Sequence, residues 1–144
     1  MDCVLCDVLH SHKDSQVLYE DEHVFIAMNI EPVKDGHIMI LPVRHARTMS
    51  DLNQVEAAAF LSACDKAMTI VEKLYGDEGP MCMINGWKYR SQEHFHAHVL
   101  PSKNSLRDLY VAAEGTPLRT RLDREVLKQK SDQLRSHFTS DLPS

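Results

Sequence analysis

The sequence predicts an α+β fold: a five-stranded, mostly antiparallel sheet with one long helix packed on it, and a C-terminal helix. Three observations carry that reading. Short β-rich runs separated by turn residues crowd the first third of the chain. One apolar repeat at spacings of three and four then runs through residues 53–75, and two further strand-like runs follow it.

Residues 17–20 (V-L-Y-E) and 23–29 (H-V-F-I-A-M-N) read as a hairpin turning at Asp21-Glu22. Residues 37–43 (H-I-M-I-L-P-V) follow the turn pair Asp35-Gly36 and complete an antiparallel meander. Phe60, Cys64, Ala67, Met68, Val71 and Leu74 give the long helix one apolar face. Asn53 with Glu56, or Asp51 with Gln54, offers a capping box, and Gly76 a stop. Residues 80–85 (P-M-C-M-I-N) and 94–100 (H-F-H-A-H-V-L) are the last two strands, bounded by Gly86 and Pro101. Thr116-Pro117 reads as a cap followed by proline in the first helical position. The helix it opens, to about residue 139, carries a thin stripe of Leu118, Leu122, Val126, Leu134 and Phe138.

Composition bounds the function. With 43% apolar and 26% charged residues in 144, a single domain is expected over 1–144, its core at about 3–104 and a helical extension at about 116–139. No apolar run approaches the ~20 residues of a membrane span, and residue 1 onward lacks a signal peptide's pattern, so a cytoplasmic location without membrane partners is expected. The net charge of -5 argues against nucleic acid as a partner, since phosphate backbones call for a basic face. Four cysteines are too few for a disulfide scaffold. Cys64 and Cys82 fall in apolar patterns as core residues, whereas Cys3-x-x-Cys6 has the spacing of a metal or redox pair.

The most informative stretch is residues 91–101, S-Q-E-H-F-H-A-H-V-L-P. On a strand it sends Phe95, Ala97 and Val99 into the core and lines up His94, His96 and His98 on the other face, roughly 6.5–7 Å apart. Spacing alone leaves two chemistries open. Alternating imidazoles can share a zinc ion. Equally, a neutral imidazole with an ordinary pKa of ~6.5 can attack phosphorus while its neighbours manage protons.

This run resembles the signature of the histidine triad (HIT) family, His-apolar-His-apolar-His-apolar-apolar, at every position. The lead-in V-L-Y-E-D-E-H-V-F-I-A-M-N-I-E-P-V-K-D-G-H-I-M-I-L-P-V-R-H resembles the family's N-terminal half, so the likeness spans about Cys3 to Pro101. It implies the HIT fold and a nucleotide hydrolase or nucleotidyl transferase acting on an ester, anhydride or phosphoramidate of a purine nucleotide. By carry-over, His96 is the nucleophile that takes the nucleotidyl group. His98 sits at the α-phosphate, Ser91 near phosphate and leaving group, Asn85 at phosphate, and Asn29 at the ribose hydroxyls. Phe25 and Ile26 help form the base pocket. His98 favours the phosphoramidase-like and dinucleoside-polyphosphate hydrolase-like branches over the uridylyltransferases, which carry Gln there. The resemblance also implies a homodimer through the long helix and a strand edge.

Two departures from the family pattern stand out. Tyr89-Arg90 replaces the usual Gly-Gln, and the loop before His94 is about two residues shorter than in one branch. Arg90 is then a candidate fork to phosphate, and Trp87 a candidate wall of the pocket. His45, in P-V-R-H, matches a position that bacterial-type members use together with C-x-x-C and the first triad histidine. The resemblance therefore implies that Cys3, Cys6, His45 and His94 hold a structural zinc in a closed tetrahedral set, leaving His96 and His98 free. His37 is expected to be structural; His10, His12, His23 and His137 are expected to be solvated. Two rival readings fit the same residues: a nucleotide-binding interaction module without catalysis, and a zinc hydrolase with the triad itself as ligands.

Overall fold

The computed structural model describes residues 3–115 and 121–141. The chain divides into two compact units, Met1–Lys103 and Asn104–Ser144. The first holds helix α1 (Val4–Ser11), the short α2 (Lys13–Gln16), strands β1 (Val17–Glu20), β2 (Val24–Met28) and β3 (Ile38–Pro42), helix α3 (Gln54–Leu74), and strands β4 (Gly79–Met83) and β5 (Ala97–Ser102). The second holds α4 (Leu106–Glu114) and α5 (Arg124–Asp141). Among the described residues no helix is long and apolar enough to cross a membrane.

The sheet runs β1-β2-β3-β5-β4, antiparallel at every pairing. The β1–β2 turn forms because the Asp21 carboxylate accepts from the amides of His23 and Val24, both at 2.8 Å. After β3 the chain crosses through α3 to the far edge and returns inward as β5. This puts His98 opposite Met39 on one side and Met83 on the other. β5 runs through Pro101, where a stop was expected. A proline is tolerated there because β3 pairing ends at Val99, leaving that stretch bonded to β4 alone.

Both faces of the sheet are covered, which is why β2 (V-F-I-A-M) and β3 (I-M-I-L-P) read as continuous apolar runs rather than alternating ones. Val24, Ile26, Ile38, Ile40, Ala97 and Val99 pack under α3 with Phe60, Cys64, Ala67 and Val71. Phe25, Ala27, Met39 and Leu41 face the other way, against Leu5 and Val8 of α1. That second layer was not expected from the sequence.

α3 is capped by Asn53, whose side chain accepts from the Glu56 amide at 2.9 Å; Asp51 instead caps the preceding 3-10 turn with Thr48. At the other end Leu74 is exposed and Tyr75 packs on the core in its place, because a 3.6-residue period drifts off a strict three-four count. Gly76 does not take the left-handed cap; Gly36 and Gly115 are the glycines with positive φ. Gly115 ends α4, a helix that sequence periodicity left out, opened by a Ser105–Asp108 capping box. α5 begins at Arg124, and Leu122, Leu134 and Phe138 of its expected stripe are exposed. Thr116-Pro117, Leu118 and the side chain of Trp87 lie outside the described residues.

Candidate active site

The α1 side of the sheet carries a cavity of about 840 Å³, built entirely within the first unit. It brings together Asn29, Asn85, Arg90, Ser91, His96 and His98 of the expected site. Phe25 and Ile26 do not line it. Neighbours on a strand point to opposite faces, so Ile26 lies under α3, and Phe25, though on the cavity's side, is sealed beneath α1. The apolar wall comes instead from Val4, Leu5 and Val8 of α1 with Met39 of β3.

Alternation holds along the histidine run, since Phe95, Ala97 and Val99 all join the α3 core. The three rings nevertheless divide between two sites. Before Ala97 the chain leaves the β3 ladder, and the Phe95 amide donates to the Ala46 carbonyl at 2.7 Å. His94 is fully buried and does not line the cavity; His96 and His98 do.

Hydrogen bonds fix which ring nitrogen bears each proton, because a carbonyl can only accept. His96 Nδ1 lies 2.8 Å from the His94 carbonyl and must donate to it, so the lone pair is on Nε2. For His98 the order is reversed. The Val33 amide donates to His37 Nδ1 at 3.1 Å, so His37 Nε2 carries hydrogen and donates to His98 Nδ1 at 2.8 Å. His98 therefore keeps its own proton on Nε2. One backbone carbonyl and one backbone amide thus prepare a lone pair on His96 beside an N–H donor on His98, with the rings 4.8 Å apart.

Burial keeps these imidazoles neutral. It is the main cause that lowers His96, with the Arg90 charge adding to it, and that holds His98 at about 4, helped by His96 and His37. His37 is lowered in the same way, by burial first and His96 second. His37, expected to be structural, holds His98 in place, and His12, expected in solvent, is exposed while also lining the cavity. The role of His37 became visible only through strand pairing, which sets β3 beside β5. The α1 wall had a signal in V-L-C-D-V, whose apolar positions share a helix face.

A second constellation lies next to the first. One ligand atom from each of Cys3, Cys6, His45 and His94 lies within 4.8 Å of the others. Cys3 caps α1 and receives the Cys6 amide at 3.3 Å, so the C-x-x-C spacing turns both sulfurs to one point. His94 Nε2 donates to the Pro42 carbonyl at 2.9 Å, which leaves Nδ1 as an acceptor facing Cys6 Sγ at 3.2 Å and Cys3 Sγ at 3.6 Å. His45 Nδ1 lies 3.4 Å from Cys6 Sγ. Burial and then the Cys3 thiol push Cys6 up to about 11; a bound cation would reverse that by favouring thiolate. Four soft, closely set donors can hold a metal ion.

The sequence profile of the HIT domain matches residues 10–105. The chain belongs to the HIT family. An uncharacterised HIT-like protein of Methanocaldococcus jannaschii is 30% identical over 129 residues, covering 88% of this chain and 97% of that one. An adenylylsulfatase of Arabidopsis thaliana is 27% identical over 142 residues, covering 96% of this chain and 71% of its own. Among solved structures, a zinc-bound histidine triad protein of Mycobacterium smegmatis superposes with a TM-score of 0.64 at 24% identity, covering 94% of this chain and 97% of that one.

Proposed function

We propose that this HIT protein cleaves purine nucleotides at the α-phosphate through a covalent nucleotidyl-His96 intermediate. The observation that carries the reading is the pair of opposite tautomers on His96 and His98 in one cavity. His96 Nε2 attacks phosphorus, the N–P bond forms, and the bond to the leaving group breaks. The resulting imidazolium keeps its Nδ1 proton on the His94 carbonyl, and His98 Nε2–H donates to the phosphoryl oxygens. Water then displaces the imidazole, the P–N electron pair returns to Nε2, and the water proton is released, giving the mononucleotide. Ser91, Asn85 and Arg90 contact phosphate. Asn29 engages the ribose through its amide nitrogen, its oxygen being taken by the Glu31 amide at 2.8 Å. The base lies against Val4, Leu5 and Val8. The adenylylsulfatase among the relatives supports hydrolysis as the outcome.

The four-donor cluster reads as a structural zinc site of Cys3, Cys6, His45 and His94, tying α1 to the segment before β5. A zinc-bound relative of the same fold supports the metal. A full set of four protein donors leaves no open position, and His96 and His98 lie outside the group; both points favour the nucleophile over a triad-bound zinc hydrolase. A cytoplasmic setting would keep both thiols reduced. Exposed Val55, Leu61 and Ile70 on α3, with β4 at the sheet edge, support a homodimer.

The test is turnover of adenosine phosphoramidate, adenylyl sulfate and a diadenosine polyphosphate by wild type and His96→Ala. A loss of at least ~1,000-fold in a folded variant, with a nucleotidyl adduct on wild-type His96 by mass spectrometry, is expected. Near-normal turnover by the variant would refute the nucleophile. No turnover by wild type with retained AMP affinity would make the chain a binding module.

A further inference from the structure

The segment between β4 and β5 brings a permanent cation to the wall of the cavity. Arg90 lines the wall with Ser91 and His96. The guanidinium is mounted rather than loose. Its Nη1 donates to the Arg47 carbonyl, and Arg47 is in turn held by Asp51 and Glu93, each at 3.0 Å. Among the described residues that line the cavity, Arg90 is the only lysine or arginine, and Glu31 is the only carboxylate.

We propose that Arg90 makes the site selective for nucleotides whose leaving group is an anion, such as sulfate, phosphate or a nucleoside polyphosphate, and against phosphoramidates that release an amine. The proposal rests on the nucleotidyl-transfer reading given above and names its substrate class. In either substrate His96 Nε2 attacks the α-phosphorus and the N–P bond forms. With an anhydride, the P–O bond breaks and its electron pair stays on oxygen, so the group leaves as an anion without taking a proton. Charge developing on that oxygen is what a fixed guanidinium stabilises. With a phosphoramidate, the P–N electron pair stays on nitrogen, which leaves as the amine only by taking a proton from solvent, and a neighbouring cation opposes that protonation.

Adenylyl sulfate and adenosine phosphoramidate share the AMP moiety and the same His96 intermediate, and differ only in what departs. The readout is the ratio of their kcat/KM values in wild type, Arg90→Gln and Arg90→Lys, so that any common loss of AMP binding cancels. Arg90→Gln should lower the ratio of sulfate to amide substrate by about 10- to 100-fold, as expected for loss of a charge-assisted contact. Arg90→Lys should recover part of it, keeping the charge without the fork. Equal loss on both substrates, or a ratio that rises, would overturn the proposal while leaving the His96 mechanism standing. Failure of wild type on both substrates would overturn that mechanism, and this proposal with it.

Discussion

Replacing His37 tests whether the tautomer relay matters. His37→Phe keeps a ring of similar size and removes both nitrogens, so the hydrogen bond of 2.8 Å to His98 Nδ1 is lost. The Val33 amide loses its acceptor as well, but Val33 is 78% exposed and water can replace His37 there. His98 Nδ1 is less open to such replacement, because the residue is half-buried. Its ring either leaves Nδ1 unsatisfied, at about 1–3 kcal/mol, or moves its proton to Nδ1 and gives up the donor on the cavity side. At 1.36 kcal/mol per decade, that range is about 5- to 150-fold in rate. We expect kcat/KM to fall by about 10- to 100-fold, mostly in formation of the nucleotidyl-enzyme, with global stability changing by only ~1 kcal/mol. His37→Gln, able to accept from Val33 and donate to His98, should recover much of the loss. The assays are rapid-quench measurement of adduct formation and nitrogen-15 shifts of His98, which report the protonated nitrogen directly. A folded phenylalanine variant with wild-type kcat/KM, or one whose His98 still protonates Nε2, would refute the reasoning.

Further expectations concern pH, metal and the loop before β3. Because burial, then Arg90, lowers His96, its neutral nucleophilic form persists as pH falls through the ordinary 6.5, so the acid limb of kcat/KM should lie below that value; a limb at or above it contradicts the site. Buried neutral His98, held at about 4, binds its proton later than in the unfolded chain, so urea-measured stability should decline as pH drops from 6.5 towards 4. Elemental analysis should find one zinc per chain, absent in Cys6→Ser, with a lower Tm but measurable turnover after metal removal, since His96 is no ligand. Gly36→Ala should cost about 2 kcal/mol or more in urea unfolding, because φ is +86° and a Cβ would meet the Tyr75 ring at 2.8 Å and Pro101 Cδ at 2.9 Å.

The sheet and the long helix were legible because their causes are local. The Asp21 turn, the Asn53 cap and the α3 positions Phe60, Cys64, Ala67 and Val71 each act within a few residues, and a periodic pattern records them. The same holds for the histidine alternation, which sends Phe95, Ala97 and Val99 to the core whatever surrounds them. α1 was missed because its repeat spans only eight residues, and its worth lies in covering Phe25 and Met39, which are distant in the chain. With that cover unseen, Phe25 was expected at the pocket wall, whereas Val4, Leu5 and Val8 line the cavity and Phe25 does not.

The sequence by itself determined the order of the strands and the long helix, the residue types available for phosphate and metal chemistry, and, with the family signature, the imidazole proposed to attack. Only tertiary structure decided how three neighbouring histidines divide their labour. His94 turns to Cys3 and Cys6, His96 is set by the carbonyl behind it, and His98 is set by His37 from the adjacent strand. The physical reason is that a ring's tautomer depends on the partner its other nitrogen meets. For His94 and His98 those partners stand far away in the chain, brought close only when β3 and α1 settle against β5.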